Sequence, residues 1–265
     1  MLKPISKLLL VSLLASVVVA CATNIAGRKQ LMLVSESSAI QASKQAYVST
    51  LEPFDKAGKL DSDPETVARV NRITDKLIAQ AILLRPDTRG WEWSVKVIDD
   101  PETVNAWCMA GGKMAIYTGL IQQLNATDDE IAQVMGHEIS HALANHSAER
   151  MSIALSQNLA LGVLAETAEL GNTSLGLAAA AAQVALTLPN SRQGESEADS
   201  IGIELAAKAG FNPNAAVTLW QKMGQLGGGN NMEWLSTHPS PENRQAALKK
   251  MIPKMMPYYQ AAKGR

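Results

Sequence analysis

Three of the four histidines in this 265-residue chain lie within ten residues of one another, in the segment MGHEISHALANH. His137 and His141 are four residues apart, so on a helix their side chains project from one face. Two imidazoles on one face can hold a single metal ion such as zinc. Glu138 lies about 100° further round the helix axis, where it can act on a metal-activated water without being a ligand. The spacing predicts metal-dependent hydrolysis, and the alternative is a helix that simply buries two histidines.

A third metal ligand can be sought in the segment SRQGESEAD, which ends at Asp199. A catalytic zinc site needs three protein ligands and leaves its fourth position for water. Glu195 could supply the third ligand. Asp199, four residues later on the same helix face, could then accept the free N–H of a ligating histidine and fix its tautomer. Taken alone, the same string is more simply interpreted as an acidic helix surface.

The remaining two histidines are His238 and His146. His238 precedes Pro239, which restricts the backbone there. His238 could stabilise an oxyanion, occupy the open metal position at rest, or be a structural residue of a turn. His146 would lie about 140° round a continuous helix from His141, so we predict that it is structural and does not share the metal-binding face.

The helix that carries His137 and His141 is predicted to begin at a capping box formed by Thr127 and Glu130. Three other helix starts show a capping residue followed by proline. These starts are Asp63-Pro64, Asn212-Pro213 and Ser240-Pro241, with helices predicted to about Leu84, Leu226 and Met251 respectively.

Strand signals precede this helix. They are Trp91–Ile98, Val104–Met109 and Lys113–Thr118, the last two on either side of Gly111-Gly112. We therefore predict an α+β fold that is predominantly helical, with a small antiparallel sheet beside the helix of His137. Residues 151–188 are apolar but interrupted, so a buried helical hairpin broken at Gly171-Asn172 is favoured over a membrane span.

The composition fits a folded protein, with 46% hydrophobic and 18% charged residues. The formal net charge is −1, so no electrostatic basis for nucleic-acid binding exists, and we predict no nucleic-acid partner. Two cysteines exclude a scaffold of several disulfides.

The first twenty residues are predicted to be a signal peptide, because two lysines precede the uncharged run Leu8–Ala20. The residues that lead into Cys21 resemble a bacterial lipobox, which implies cleavage before Cys21 and its acylation. The alternative is an ordinary signal peptide with Cys21 a free thiol. Ala22 follows in place of an aspartate, as in lipoproteins sent to the outer membrane. We thus predict a lipidated tether over residues 21–34, one domain over residues 35–265, and no intrachain disulfide.

The motif His137-Glu138-x-x-His141, followed by Glu195-x-x-Ala198-Asp199, resembles that of the M48 family of zinc metallopeptidases. The resemblance runs from about residue 25 to about residue 250. Further segments that carry it are Asn105-Ala106, Gly111-Gly112-Lys113, Tyr117-Thr118-Gly119-Leu120, His146-Ser147-x-Glu149-Arg150, Gly202, Ala209-Gly210-Phe211-x-Pro213 and Thr237-His238-Pro239-x-Pro241.

This resemblance implies a gluzincin-type metallopeptidase domain that holds one Zn²⁺ per chain. It implies that His137, His141 and Glu195 are the ligands and that Glu138 is the catalytic base. Asp199 would hold a ligating histidine in position without binding the metal itself. The strand around Asn105 and Ala106 would be the edge of the sheet next to the active helix, where an extended substrate could bind by adding a strand.

We therefore expect a zinc endopeptidase of the bacterial envelope, held by lipid on Cys21 at the periplasmic face of the outer membrane. Extended or unfolded envelope polypeptides are the expected substrates, because binding at a strand edge requires an extended chain. The alternative is a chaperone or assembly factor for envelope proteins, with gated or weak proteolysis.

Overall fold

The computed structural model describes residues 21–164, 191–226, 233–238 and 244–264. Its strands are β1 (Cys21–Thr23), β2 (Lys29–Leu31), β3 (Ser94–Ile98), β4 (Ala106–Met109) and β5 (Lys113–Tyr117). Its helices are α1 (Glu36–Lys56), α2 (Pro64–Leu84), α3 (Thr118–Gln123), α4 (Asp128–Leu143), α5 (His146–Leu164), α6 (Arg192–Lys208), α7 (Ala215–Gln225), α8 (Glu233–Thr237) and α9 (Arg244–Lys263), with a 3₁₀ turn at Pro86–Gly90. The predicted helix-dominated α+β class is confirmed.

The N-termini of two helices follow the predicted chemistry. The Thr127 hydroxyl accepts a hydrogen bond from the Glu130 N–H at 3.3 Å, and the Glu130 carboxylate accepts one from the Thr127 N–H at 2.9 Å. This capping box begins α4. Asp63 caps α2 by accepting from the N–H groups of Glu65 and Thr66, and α2 ends at Leu84 as predicted.

Two other helices differ from their predicted bounds. Helix α7 begins at Ala215 because the Asn212 side chain accepts the N–H of Asn214 at 3.0 Å and holds the preceding residues in a turn. Helix α9 continues to Lys263 through two exposed prolines, Pro253 and Pro257. Packing of its Leu248 and Met255 into the core outweighs the low helix propensity of those prolines. Ser240 and Gly171-Asn172 lie outside the described residues.

The three-stranded sheet has the order β3-β5-β4. The predicted antiparallel pairing is confirmed for β4 and β5, with Ala106 opposite Ile116. The strand β3 joins the other side of β5 in parallel, with Ser94 opposite Lys113. The parallel pairing arises because the chain after β3 crosses to the far side of β5 before it turns back, and strand patterns in a sequence do not reveal that order.

Helix α4 is the central element of the fold. Every residue from Glu130 to Leu143 is buried. The helix packs against α2, α6, α7 and β4, so it is covered on all sides. A helix that is buried all round can present polar side chains only to other protein groups. The histidines of α4 must therefore find partners inside the core.

Helices α4 and α6 approach each other closely at two glycines. A Cβ atom on Gly202 would lie 2.8 Å from the backbone N of His137, and one on Gly136 would lie 3.0 Å from the carbonyl oxygen of Gly202. The two backbones are thus nearly in contact. Because α4 carries His137 and α6 carries Glu195, this contact sets the distance between the helices that provide the candidate ligands.

The segment predicted as a tether is folded against the domain. Strands β1 and β2 form an antiparallel hairpin with Cys21 opposite Leu31. The Gln30 side-chain amide of this hairpin donates to the Ala144 carbonyl at 2.9 Å. The predicted signal peptide, residues 1–20, lies outside the described residues. In the part of the chain that the structure describes, no helix combines the length and the apolar character of a membrane span.

We expect Gly202→Ala to separate α4 from α6, because its methyl group would overlap the backbone of His137. Overpacking of this kind lowers the free energy of unfolding by about 1–3 kcal/mol. The variant should also bind zinc more weakly, which a chelator competition would measure. Gly224→Ala is the control, since a Cβ there meets nothing within 4 Å, and it should leave zinc binding unchanged. Equal zinc affinity in both variants would contradict this account of the ligand spacing.

Candidate metal centre and active site

The three predicted ligands lie together in the core. His137 Nε2 is 3.0 Å from His141 Nε2, and Glu195 Oε1 is 3.3 Å from His141 Nε2. One ligand atom from each of these residues and from His238 falls within a group whose members are all within 4.8 Å of one another. All four residues are buried. The folding of α4, α6 and α8 therefore converts residues about a hundred positions apart into one compact donor set.

The chemistry of this donor set fits a metal ion. Glu195 Oε1 is buried and accepts no hydrogen bond among the described residues. The facing Nε2 atoms of His137 and His141 are both acceptors in the neutral tautomers that carry the proton on Nδ1. A tetrahedral zinc site holds two imidazole nitrogens about 3.3 Å apart, from Zn–N distances near 2.05 Å. A divalent cation here would satisfy all three atoms at once, so the site is suited to hold one.

Residues outside this donor set hold the ligands in position. Asp199 Oδ1 lies 3.1 Å from His137 Nδ1, the contact predicted for it. Burial alone would lower the pKa of His137, but Asp199 and Glu195 outweigh it and raise the pKa to about 9. Asp199 thus fixes which imidazole nitrogen faces the other ligands.

His146 is closer to the site than the sequence indicated. The predicted angle of 140° applies to one continuous helix, but α4 ends at Leu143 and Asn145 adopts a positive φ of 57° before α5 begins. Asparagine tolerates this left-handed conformation better than most residues. The resulting bend brings His146 Nδ1 to 2.8 Å from His141 Nδ1. His146 contacts a candidate ligand from outside the metal-binding group.

Arg244, which was not predicted from the sequence, brings a positive charge to the carboxylates of Glu195 and Asp199. Its guanidinium donates to Glu195 Oε2 at 3.0 Å and to Asp199 Oδ1, and is buried. It also lies 4.0 Å from the centre of the Trp220 ring. In the sequence Arg244 looks like a surface charge in the first turn of a helix. No local pattern signals that α9 points it into the core.

The candidate base Glu138 is held by Trp234, which was also missed. The indole N–H of Trp234 donates to Glu138 Oε1 at 2.7 Å. Burial raises the pKa of Glu138 to about 7. A carboxyl group with such a pKa can both accept and return a proton near neutral pH. Trp234 lies in the short helix α8, and no sequence pattern indicates that this helix packs beside Glu138.

The hydrogen bonds of His238 discriminate between the two functional roles considered for it, oxyanion stabilisation and metal binding. Burial lowers its pKa to about 3, so the imidazole is neutral. Its Nδ1 lies 2.9 Å from the Trp234 carbonyl oxygen, which can only accept, so the proton is on Nδ1. Its Nε2 then carries a lone pair and lies 3.3 Å from Glu138 Oε1. In this state His238 can bind a metal or accept a proton, but it cannot donate to an oxyanion.

Asn105 and Ala106 lie at the outer strand of the sheet but are buried. The Ala106 N–H donates to the Asn105 side chain at 2.8 Å. The preceding carbonyl, that of Val104, accepts the N–H of Trp234 at 3.3 Å. Helix α8 therefore bonds to the chain next to the strand edge where the substrate was expected.

Comparison with known proteins agrees with this site. A model of peptidase family M48 matches residues 64–252. The mitochondrial metalloendopeptidase OMA1 of Arabidopsis thaliana is 38% identical over 185 residues, which are 66% of this chain and 36% of that protein. Metalloprotease YcaL of Escherichia coli is 28% identical over 224 residues, or 82% and 86% of the two chains. The β-barrel assembly-enhancing protease of Yersinia pestis is 27% identical over 209 residues, or 74% and 41%.

The fold and the buried histidine–glutamate cluster define a metallopeptidase domain. More particularly, the chain belongs to peptidase family M48, whose model covers well over half of it. The chain spans less than two thirds of the length of the mitochondrial relatives that it matches.

We expect Arg244→Met to destabilise the metal-free protein by about 3–5 kcal/mol, because it leaves the Glu195 and Asp199 carboxylates without their buried cation. Added zinc should restore part of this loss by supplying positive charge. Denaturant unfolding with and without zinc measures both effects. Arg69→Met removes a half-exposed pair with Asp128 and should cost less than about 1 kcal/mol. Similar losses for the two variants would refute the role of Arg244.

We expect zinc binding at pH 7.5 to release about one proton, because the raised pKa of His137 keeps it protonated until the metal displaces that proton. The release should fall as pH rises through about 9. Titration calorimetry in buffers of different ionisation enthalpy counts the protons. Asp199→Asn should reduce the count because it removes a partner of the imidazolium, whereas Glu138→Gln should preserve it. A proton count that is unchanged in Asp199→Asn would show that the released proton does not come from His137.

Proposed function

We propose that this protein is a zinc-dependent endopeptidase of the bacterial envelope that cleaves extended segments of unfolded or misassembled envelope proteins. The observation that carries the proposal is the position of Glu138 beside the buried donor set of His137, His141 and Glu195. A structural metal site has no need of an additional buried carboxylate next to its ligands. Membership of peptidase family M48 supports the same chemistry.

The residues have separate roles in peptide hydrolysis. When bound, zinc polarises the scissile carbonyl and makes water a better nucleophile. Glu138 accepts the proton of the attacking water and passes it to the leaving amine. Trp234 keeps Glu138 oriented by donating to Oε1. Asp199 and Arg244 hold His137 and Glu195 and need not touch the substrate.

Substrate entry depends on α8 in this proposal. The same helix bonds to the Val104 carbonyl and, through Trp234, to Glu138. His238, which follows α8, contributes one atom to the buried group of possible metal ligands, and its Nε2 lies 3.3 Å from Glu138 Oε1. These contacts favour a closed resting state that an extended chain must open. The same contacts support the second candidate function, which is an assembly factor for envelope proteins with gated proteolysis.

The envelope location rests on the N-terminal pattern and on bacterial relatives. The proposed acylation of Cys21 would attach the domain to a membrane within three residues of the hairpin turn at Asn24. Cys21 is exposed in the structure, as a lipidated residue must be. A protease of Yersinia pestis named for enhancing β-barrel assembly is among the relatives. Unfolded β-barrel proteins are therefore the first substrates to try.

We expect the zinc-loaded protein to cleave casein or an unfolded β-barrel protein, and Glu138→Gln to cleave about 100- to 10,000-fold more slowly. The glutamine keeps the shape of the side chain but cannot accept the proton. Zinc content must be equal in both proteins, and gel electrophoresis with mass spectrometry of the fragments measures the cleavage. Equal rates for the two proteins would eliminate Glu138 as the base.

If neither protein cleaves although zinc is bound, His238→Ala separates the two candidate functions. Removing the imidazole takes one blocking lone pair away from the donor set. Cleavage by His238→Ala would establish a gated peptidase. Continued inactivity, together with retention of an unfolded β-barrel protein in a binding assay, would favour the assembly factor.

A further inference from the structure

A chain of hydrogen bonds leads from the metal-binding group to the N-terminal hairpin, Cys21–Leu31. His141 Nδ1 lies 2.8 Å from His146 Nδ1, and His146 Nε2 lies 3.0 Å from Glu197 Oε2. Glu197 Oε1 accepts from the Arg28 Nε at 2.5 Å. Three contacts thus join a candidate metal ligand to a residue that the sequence placed in a tether.

One assignment of protons satisfies this whole chain. If His141 directs Nε2 at a metal, its proton is on Nδ1 and is donated to His146. His146 then accepts at Nδ1 and carries its own proton on Nε2. A carboxylate can only accept, so His146 donates to Glu197. The position of Glu197 therefore selects the tautomer of His146, and through it the tautomer that leaves His141 ready to bind metal.

The hairpin holds Glu197 from two directions. The Asn24 side-chain amide donates to Glu197 Oε2 at 2.7 Å, and the Arg28 guanidinium pairs with Oε1. Arg28 also forms two bonds of 2.5 and 2.6 Å to the carboxylate of Glu149. Arg28 and Glu197 are 17% and 11% exposed in their side chains, so their pairing is largely sheltered from water.

The hairpin is built to present these two side chains. The side-chain oxygen of Asn24 accepts hydrogen bonds from the N–H groups of Ala26 and Arg28 at 3.0 and 2.9 Å, and these bonds close the turn. Gln30 donates to the Ala144 carbonyl, at the bend that separates His141 from His146. The hairpin therefore contacts both the carboxylate that orients His146 and the bend that brings the two imidazoles together.

We propose that the N-terminal hairpin is part of the metal centre, with Arg28 and Glu197 as positioning residues that hold His141 in the metal-binding orientation through His146. The inference deepens the proposed function and rests on it for the identity of the metal. It makes metal affinity depend on docking of the segment that follows the proposed lipid anchor. Undocking the hairpin would release Glu197, then His146, and so loosen one ligand.

The test measures zinc affinity and the ligand geometry, without substrate, on the full chain. Arg28→Met and Glu197→Gln should each weaken zinc binding by about 10- to 100-fold, the usual effect of losing a group that orients a metal-ligating histidine. The cobalt-substituted variants should also show shifted visible absorption bands. Glu197→Gln keeps the size of the side chain, so it serves if Arg28→Met fails to fold.

Two controls separate positioning from a general loss of stability. Lys29→Met makes the same change of charge at an exposed neighbour in the same hairpin, and it should match the parent. Arg69→Met breaks a salt bridge in another region and should lower stability without changing the cobalt spectrum. Parent-like zinc affinity and spectra in both Arg28→Met and Glu197→Gln would overturn the inference. Because no substrate is used, that result is distinguishable from a failure of the proposed peptidase activity.

Discussion

A fully buried carboxylate is the constraint on which the rest of the structure depends. Glu195 has no exposed surface, and burying a charge is costly unless it is paired. Burial alone would raise the pKa of Glu195, but the imidazoles of His137 and His141 beside it hold that pKa well below its usual range. Arg244 brings further positive charge from α9. Helices α4, α6 and α9 must therefore converge around this one group, and their convergence forms the candidate metal centre.

Local sequence chemistry predicted the parts of the site that a single helix determines. The capping box at Thr127 marked the start of α4, and the four-residue spacing placed His137 and His141 on one face. Arg244 and Trp234 could not be found in this way, because each reaches the site from a separate element that packs against α4 from a distant part of the chain. The parallel pairing of β3 was hidden for the same reason, since strand order is a property of the assembled sheet.

His146 lies outside the metal-binding group as predicted, but its contact with His141 was not expected, and the reason is a different physical one. Helical periodicity was applied across Asn145, where the backbone turns to a positive φ. Such a bend is inexpensive for asparagine, so it leaves no strong mark in the sequence. Its consequence is large, because a residue assigned to the opposite side of a helix becomes the neighbour of a candidate ligand. The fold of the predicted tether as a hairpin was likewise not visible in the sequence, since its contacts with Glu197 and Glu149 are charge pairs between distant segments.

The contact of Gly136 with Gly202 bears on how such a site can persist while the surrounding sequence drifts. Where helices are spaced by interlocking side chains, each substitution of a core residue alters the spacing a little. Here the spacing between the ligand helices is set by backbone against backbone. Substitutions that change the volumes of the side chains around this contact can therefore compensate one another without changing the distance between the ligand helices. The distance between the two ligand helices therefore depends on the absence of a side chain at two positions, whereas the orientation of the ligands depends on Asp199, Arg244 and His146.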